Sequence, residues 1–289
     1  MNPSPEYKDI ARKTADAIIR ASTSFRPDQI KVYLNAIARE TNSLAKWALE
    51  MLLENAKTAE QKQTPLCDDT GIPHLLLETG REKQIPGWVF DAIQDGVAKG
   101  LRELPGRPMA VAGDDTARIE QSFGLYEDPT LVTPAPIMIL PTTGDILRLH
   151  VLMQGGGPEI RAKTYRVFHK HNISVVVDEI VSWASEVIGL LGCTPGVLAV
   201  GIGRSHYEAS SLMLQAMTFG DFTKQSGLEA EITERVNECG AGPLGLGGNN
   251  SVLATFLKTG PQRASGVRIV CMRPCCCIEP RVAHMDIII

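Results

Sequence analysis

The chain has 289 residues, 44% of them hydrophobic and 21% charged, with a formal net charge of −4; that is enough chain for one large domain or two modest ones, in the composition of a soluble globular protein. The absence of a long basic run argues against nucleic acid as a partner, and no apolar run approaches the roughly 18 residues of a membrane-spanning helix. The opening MNPSPEYKDIARK lacks the apolar core of a signal peptide, so the cytoplasm is the expected compartment, where seven cysteines, an odd number, fit a disulfide framework poorly.

About the first sixty residues read as helix. The stretch from Ser4 opens on Ser-Pro with acidic residues in its first turn and then sets Ala11, Ala15, Ile18 and Ile19 at helical spacing. A second helical stretch runs from Pro27 to Ala56 with a break near Thr41–Asn42, and nothing before residue 64 carries chemistry. TPLCDDTG is a loop, punctuated by Pro65 and Gly71. PGWVFDAIQDGVAKGLREL is helical, and 105–135 is irregular and rich in Pro, Gly and Asp. APIMILPTTGDILRLHVLMQ predicts a β-hairpin, two apolar runs around Thr-Thr-Gly-Asp, leading straight into GGGPE. Then come a helix from Ile173, the turn CTPG, a strand (VLAVGIG), a helix from His206, another from Leu228, and strand-like text in GVRIVC and AHMDIII. Helices grouped early, strands scattered later and no regular βαβ alternation predict an α+β fold with a small sheet, in a single domain spanning 1–289.

Four glycine-bearing loops stand out: Gly155-Gly156-Gly157, the Gly192–Gly196 turn, Gly201-Ile202-Gly203, and Gly242 through Gly248. None completes a phosphate-binding pattern. Each reads as a tight turn between packed elements or as a nest of backbone N–H groups for a carboxylate or other anion. Cys67 and Cys193 each sit in a Pro/Gly loop, where a rigid backbone suits a metal ligand; Cys239, at a helix end, reads as structural. Near the C-terminus CMRPCCCIEP holds four cysteines. Cys275, Cys276 and Cys277 are too close together for all three to bind one iron without strain, and in an extended segment the outer two face one side and Cys276 the other. Neither zinc-finger spacing nor a ferredoxin-type CxxCxxC run is present. His169 and His171 lack a third ligand and read as a solvated pair. What remains is one thiolate from each of three distant loops: Cys67, Cys193 and one of the C-terminal group. Three thiolates on a four-iron cluster leave one iron open to bind substrate as a Lewis acid.

In order, PLCDDTG, GGGPE, CTPGVLAVGIG, GPLGLGGNNSVLA and CCIEPRVA resemble the α-subunit of the iron–sulfur hydro-lyases of the tartrate dehydratase/class I fumarase family. That family typically shows P-x-C-Q-D-T-G, K-G-G-G-S-E, C-P-P-x-x-x-G-V-G-I-G, G-P-x-G-L-x-G-x-(T/S) and C-W-A-x-R-R. The resemblance covers essentially the whole chain and is more specific for the family than for the substrate. It implies cluster ligands Cys67, Cys193 and Cys276, with Cys275 and Cys277 as register alternatives and Arg281 on the motif's last arginine. It implies proton transfer by Asp69, and substrate contacts from Asp68, Asp69, Thr70, Arg102 and the backbone of Gly155, Gly156 and Gly157. It also implies a [4Fe-4S] cofactor with one iron free of protein, a dicarboxylate substrate, and a separate β-subunit completing the site, in an α2β2 assembly.

The departures concern the substrate. Gln of the family's P-x-C-Q-D-T-G is Asp68 here, GGGSE has become GGGPE, Arg204 follows Gly203, PQRAS lacks an expected histidine, and GGNNSV is nearer the tartrate type. Arg204 is either a new carboxylate contact or a surface residue. The implied reaction is reversible dehydration of a 2-hydroxy dicarboxylate, fumarate/malate first and tartrate or a substituted malate second. A redox or sensing iron–sulfur protein and a cluster-free interaction subunit are the rivals from other classes.

Overall fold

The computed structural model describes residues 4–104 and 106–289; of the stretch predicted irregular, Pro105 lies outside the described residues. The fold is α+β, as the sequence predicts. The chain opens with α1 (Pro5–Thr23), α2 (Pro27–Arg39) and α3 (Ser43–Lys62), followed by β1 (Ile72–Gly80), α4 (Gly87–Glu103), a short α5 (Asp115–Glu120), β2 (Met138–Thr142) and β3 (Leu147–Gln154). Then come α6 (Gly156–Glu159), β4 (Lys163–Phe168), α7 (Ile173–Ile188), β5 (Gly196–Gly203), α8 (His206–Phe219), α9 (Gly227–Asn237), β6 (Val252–Thr259), β7 (Val267–Cys275) and β8 (Arg281–Asp286). Among the described residues no helix is long and apolar enough to cross a membrane.

The chain forms two compact units, each discontinuous in sequence: one from residues up to Ser24, Ala56–Gly155 and Arg281 onward, the other from Phe25–Asn55 and Gly156–Pro280. In the first, a mixed sheet in the order β2-β1-β3-β8 turns Leu75, Leu77, Leu149, Val151, Met153, Ala283 and Met285 onto α1 and α4. The alternate residues form a polar ladder in which His150 Nε2 meets Glu78 at 2.6 Å and Arg148 pairs with Asp286 at 2.6 Å. α1 starts as the sequence demands: Ser4 accepts the N–H of Tyr7, and Pro5 fills the first turn, where its missing donor costs nothing.

The predicted hairpin does not form. β2 and β3 are not neighbours; β1 lies between them, parallel to β2 (Leu76 opposite Met138) and antiparallel to β3 (Leu76 opposite His150). The reason lies in apolar content. The Leu75-Leu76-Leu77 run is almost wholly buried and takes a central position, which leaves the half-exposed β2 at the edge. The Thr-Thr-Gly-Asp turn wraps the end of β1 instead, with Gly80 N donating to Ile146 O at 2.7 Å.

In the second unit β4-β7-β5-β6 form the other mixed sheet. Leu198, Val200 and Ile202 of β5 pack with α7 and α9, while α8 covers the opposite face. Gly201 and Gly203 lie inside β5 and face α8: a β-carbon on Gly203 would stand 2.7 Å from Ala209 N, and one on Gly201 would collide with Ala209 O and Met213 N. This glycine pair is therefore a packing device that lets helix and strand backbones touch.

The glycine loop at 242–248 has an internal partner. Glu40, at the break between α2 and α3, accepts the N–H groups of Thr41 and Asn42 at 3.0 Å, Asn249 N at 2.9 Å and Asn250 Nδ2 at 2.7 Å. Burial acts to raise the Glu40 carboxyl, but these donors outweigh it and hold the group below its ordinary value. The carboxylate lies against Gly248 and is bound by the two asparagines that follow the loop, while the loop's own amides bond Thr194, Ser251 and one another.

Two outcomes follow from this packing. Gly201→Ala relieves strand entropy worth about 0.5–1 kcal/mol but overpacks a backbone contact, so we expect a net loss of about 1–3 kcal/mol in urea unfolding. Glu40→Gln lowers stability by about 2–3 kcal/mol near neutral pH. Because the folded-state pKa of Glu40 is depressed, its contribution is complete above the unfolded value of about 4.3 and fades as pH falls through the folded one. The gap between wild type and variant should therefore close in acid; an unchanged gap would assign the effect to shape alone.

Candidate active site

The first unit builds one loop constellation around Cys67-Asp68-Asp69-Thr70. Leu66 N donates to Ser22 O of α1 at 2.9 Å, fixing the loop's entry, and β1 fixes its exit. From below, the buried Arg281 donates through Nη1 to Asp69 O at 2.9 Å and to Thr70 O at 3.1 Å. Gly71, at φ +81°, makes the turn, and a β-carbon there would collide with the Arg281 guanidinium. The sequence reading matched this arginine to the family's last one but gave it no role; here it carries the loop.

Two further residues join this loop. Thr70 Oγ1 accepts Arg107 N at 2.9 Å, and Arg107 Nη1 pairs with Asp68 Oδ2 at 3.3 Å. Both charged side chains are exposed, and a pair so placed contributes little to stability, about 0–1 kcal/mol. Asp69 is half-buried, and its Oδ2 lies 2.8 Å from where a β-carbon of Gly155 would stand. Cys67 Sγ donates to Asp68 Oδ1 at 3.3 Å. Arg102, by contrast, is an exposed residue of α4 that pairs with Asp128 at 3.5 Å. Sequence reasoning missed Arg107, which follows a Pro-Gly step in text that looked merely irregular.

The second unit builds another constellation at one end of its sheet. Val197 of β5 lies opposite Cys275 of β7, so Cys193, just before β5, and Cys276, just after β7, come to the same end. Cys277 N donates to Cys193 O at 2.8 Å and joins the two loops directly. The three adjacent cysteines alternate as an extended segment should: Cys275 and Cys277 are buried, and Cys276 is half-exposed. Burial also pushes the Cys275 thiol far up, against the pull of Arg273, which keeps it protonated.

Beneath this turn lies Arg273, wholly buried, with Nε 2.9 Å from Glu159 and Nη1 2.9 Å from the equally buried Glu279. Burial opposes its charge, but Glu279 and Glu159 hold the guanidinium firmly protonated. Glu159 belongs to α6, the end of the triple-glycine segment, in which Gly155 is buried and Gly156 and Gly157 are exposed. No sequence pattern announced Arg273 or Glu279.

Two other readings change. Arg204 bonds Glu208 through its backbone N at 2.6 Å and its guanidinium at 2.6–3.1 Å, an exposed pair one helical turn apart, which favours a surface role. His169 and His171 are not a solvated pair. His169 is buried, with Nε2 2.8 Å from Ser265 O and Nδ1 accepting His171 N, because Lys170 and His171 both turn at positive φ; only His171 is exposed.

The cysteines suit an iron–sulfur group by chemistry and access. All seven are thiols, and Cys67, Cys193 and Cys276 are the members of the three motif loops whose side chains reach the surface. Thiolate donors are the soft ligands such clusters take. Among the described residues no three His, Cys, Asp or Glu side chains converge to hold a single ion. A four-iron cluster with one open iron asks for something else: three separate thiolates, each on a different iron.

Comparison with known proteins agrees with these motifs. The sequence matches the fumarate hydratase (Fumerase) family over residues 11–286. It is 27% identical over 268 residues to the Methanocaldococcus jannaschii protein named "Putative L(+)-tartrate dehydratase subunit alpha", covering 85% of this chain and 88% of the relative. It is 24% identical over 241 residues to the L(+)-tartrate dehydratase subunit alpha of Escherichia coli strain K12, covering 82% of this chain and 77% of that one. With its motifs in order and nearly its whole length matched, the chain belongs to the fumarate hydratase (Fumerase) family.

Proposed function

We propose that this chain is the α-type subunit of a [4Fe-4S]-dependent hydro-lyase that reversibly removes water from a 2-hydroxy dicarboxylate, with fumarate/malate as the leading substrate pair. Family membership carries the hydro-lyase assignment. The observation that carries the cofactor is the backbone bond between the Cys193 and Cys277 turns, which brings two predicted ligand loops together with Cys276 as the accessible thiol. Cys67, Cys193 and Cys276 are the proposed ligands. When bound, the cluster supplies a Lewis acid for the substrate's C2 oxygen.

The chain's own groups account for the rest. Removing the C3 proton builds negative charge toward the neighbouring carboxylate, so that carboxylate has to be held by fixed donors. Arg107 is the first candidate, since its guanidinium lies against the Asp68–Thr70 loop and presents a planar fork suited to a carboxylate. Arg102, bonded to Asp128, is the second. The exposed backbone of Gly156 and Gly157 offers further donors, with Gly155 lining Asp69. Asp69, half-buried, serves as base or proton relay. Thr70 holds Arg107 in place, and Asp68 both pairs with Arg107 and accepts from Cys67.

The relatives' names, subunit alpha, support a partner β-subunit that completes the site; we propose that the two form a cytoplasmic α2β2 assembly. The same names favour a tartrate-type substrate as the second reading, and GGNNSV leans the same way.

The test is an anaerobic assay of the reconstituted chain, with its β-subunit, on fumarate, malate and L(+)-tartrate. Asp69→Asn should lower kcat by about 10²–10⁴-fold on the preferred substrate. Cys276→Ser should abolish iron binding while Cys277→Ser retains it. The opposite pair of results shifts the ligand register by one, and turnover of none of these acids by the cluster-loaded complex sinks the substrate assignment.

A further inference from the structure

In the turn that carries Cys276, the backbone N–H and C=O of both Cys276 and Cys277 are bonded. Cys276 N donates to Glu279 Oε2 at 3.3 Å, and Cys276 O accepts Glu279 N at 3.0 Å. Cys277 N donates to Cys193 O at 2.8 Å, and Cys277 O accepts the hydroxyl of Tyr33, a wholly buried tyrosine, at 2.7 Å. One residue, Glu279, thus grips Cys276 from both ends, by its backbone and by its carboxylate. That carboxylate is itself fixed by two bonds from Arg273, at 2.9 and 3.2 Å, and both side chains are fully buried. The guanidinium reaches the sulfur of Cys275 at 3.6 Å and Glu159 of the glycine segment at 2.9 Å.

A buried ion pair is a poor source of net stability, since desolvation offsets most of the Coulomb attraction; what such a pair can supply is a single geometry. Here the geometry concerns which cysteine is presented. Three adjacent thiols offer a metal three registers, and a slack turn would let them compete. We propose that Glu279 and Arg273 are positioning residues that present Cys276, and neither neighbour, to iron, and that the same arginine fixes the glycine segment through Glu159. This rests on the cluster reading given under Proposed function. Arg273 bonds Glu279, Cys275 and Glu159, while Cys276 is left half-exposed. The clamp therefore selects by exclusion: Cys275 is held under the guanidinium, Cys277 is held inward by Tyr33 and Cys193, and Cys276 is the thiol that remains.

The experiment uses the full chain in its reduced, metal-free form, alkylated with iodoacetamide and read by peptide mass spectrometry, beside iron and sulfide content after anaerobic reconstitution. In the wild type Cys276 should react at least about tenfold faster than Cys275 and Cys277, which require local opening to be reached. Glu279→Ala removes the carboxylate's bonds to Cys276 N and to Arg273, leaving only the backbone bond, and should erase that preference while lowering iron retention. Glu279→Gln leaves an acceptor for Cys276 N and should restore much of the preference. Should Glu279→Ala fail to fold, the wild-type labelling pattern decides alone. Equal labelling of the three cysteines in a wild type that binds a cluster overturns the clamp by itself. The predicted labelling in a wild type that binds neither iron nor sulfide overturns instead the cluster reading on which the proposal stands.

Discussion

The burial of Arg273 constrains more of this structure than any other single feature. A guanidinium with no exposure has to find carboxylates nearby, because an uncompensated buried charge costs about 3–5 kcal/mol when one partner is removed. Glu279 and Glu159 meet that demand from opposite directions along the chain, 6 and 114 residues away. In meeting it they fix the cysteine turn at one end of β7 and α6 with its glycines. The placement of two motifs, CCIEP and GGGPE, is therefore a consequence of satisfying one cation.

The first unit shows the same economy with a different arginine. Arg281 is buried, but it bonds backbone carbonyls, those of Asp69 and Thr70. The carboxylate of Asp69 lies against Gly155. Bonding to the carbonyls shapes the loop.

What could be read in the sequence was local. The α1 start, the break at Thr41–Asn42, the loop character of the Cys67 and Cys193 turns and the alternation of Cys275, Cys276 and Cys277 all follow from spacing within about ten residues. What could not be read was pairing over distance. β1 opens on Ile-Pro-His, which hides a central strand, so its insertion between β2 and β3 was missed and a hairpin stood in its place. Glu40 meets Asn249 and Asn250 across more than 200 residues, and no periodicity reports such a contact. Of the four glycine loops read together as possible anion nests, one packs a helix, one ends against Glu40, and the other two lie beside Asp69 and Cys193. Arg102 was chosen by motif; Arg107 became visible only through its contact with Asp68 and Thr70.

The central claim is a cluster held by three cysteines, with one iron left for substrate. Its most direct test is electron paramagnetic resonance on the anaerobically reconstituted protein before and after brief exposure to air. The account predicts a three-iron signal on oxidation that disappears when ferrous iron and reductant are returned, because the iron without a protein ligand is the one that leaves. Bound iron and sulfide that never yield that signal would mean a fully ligated cluster, and the chain would then be an electron-transfer or sensing protein rather than a hydro-lyase.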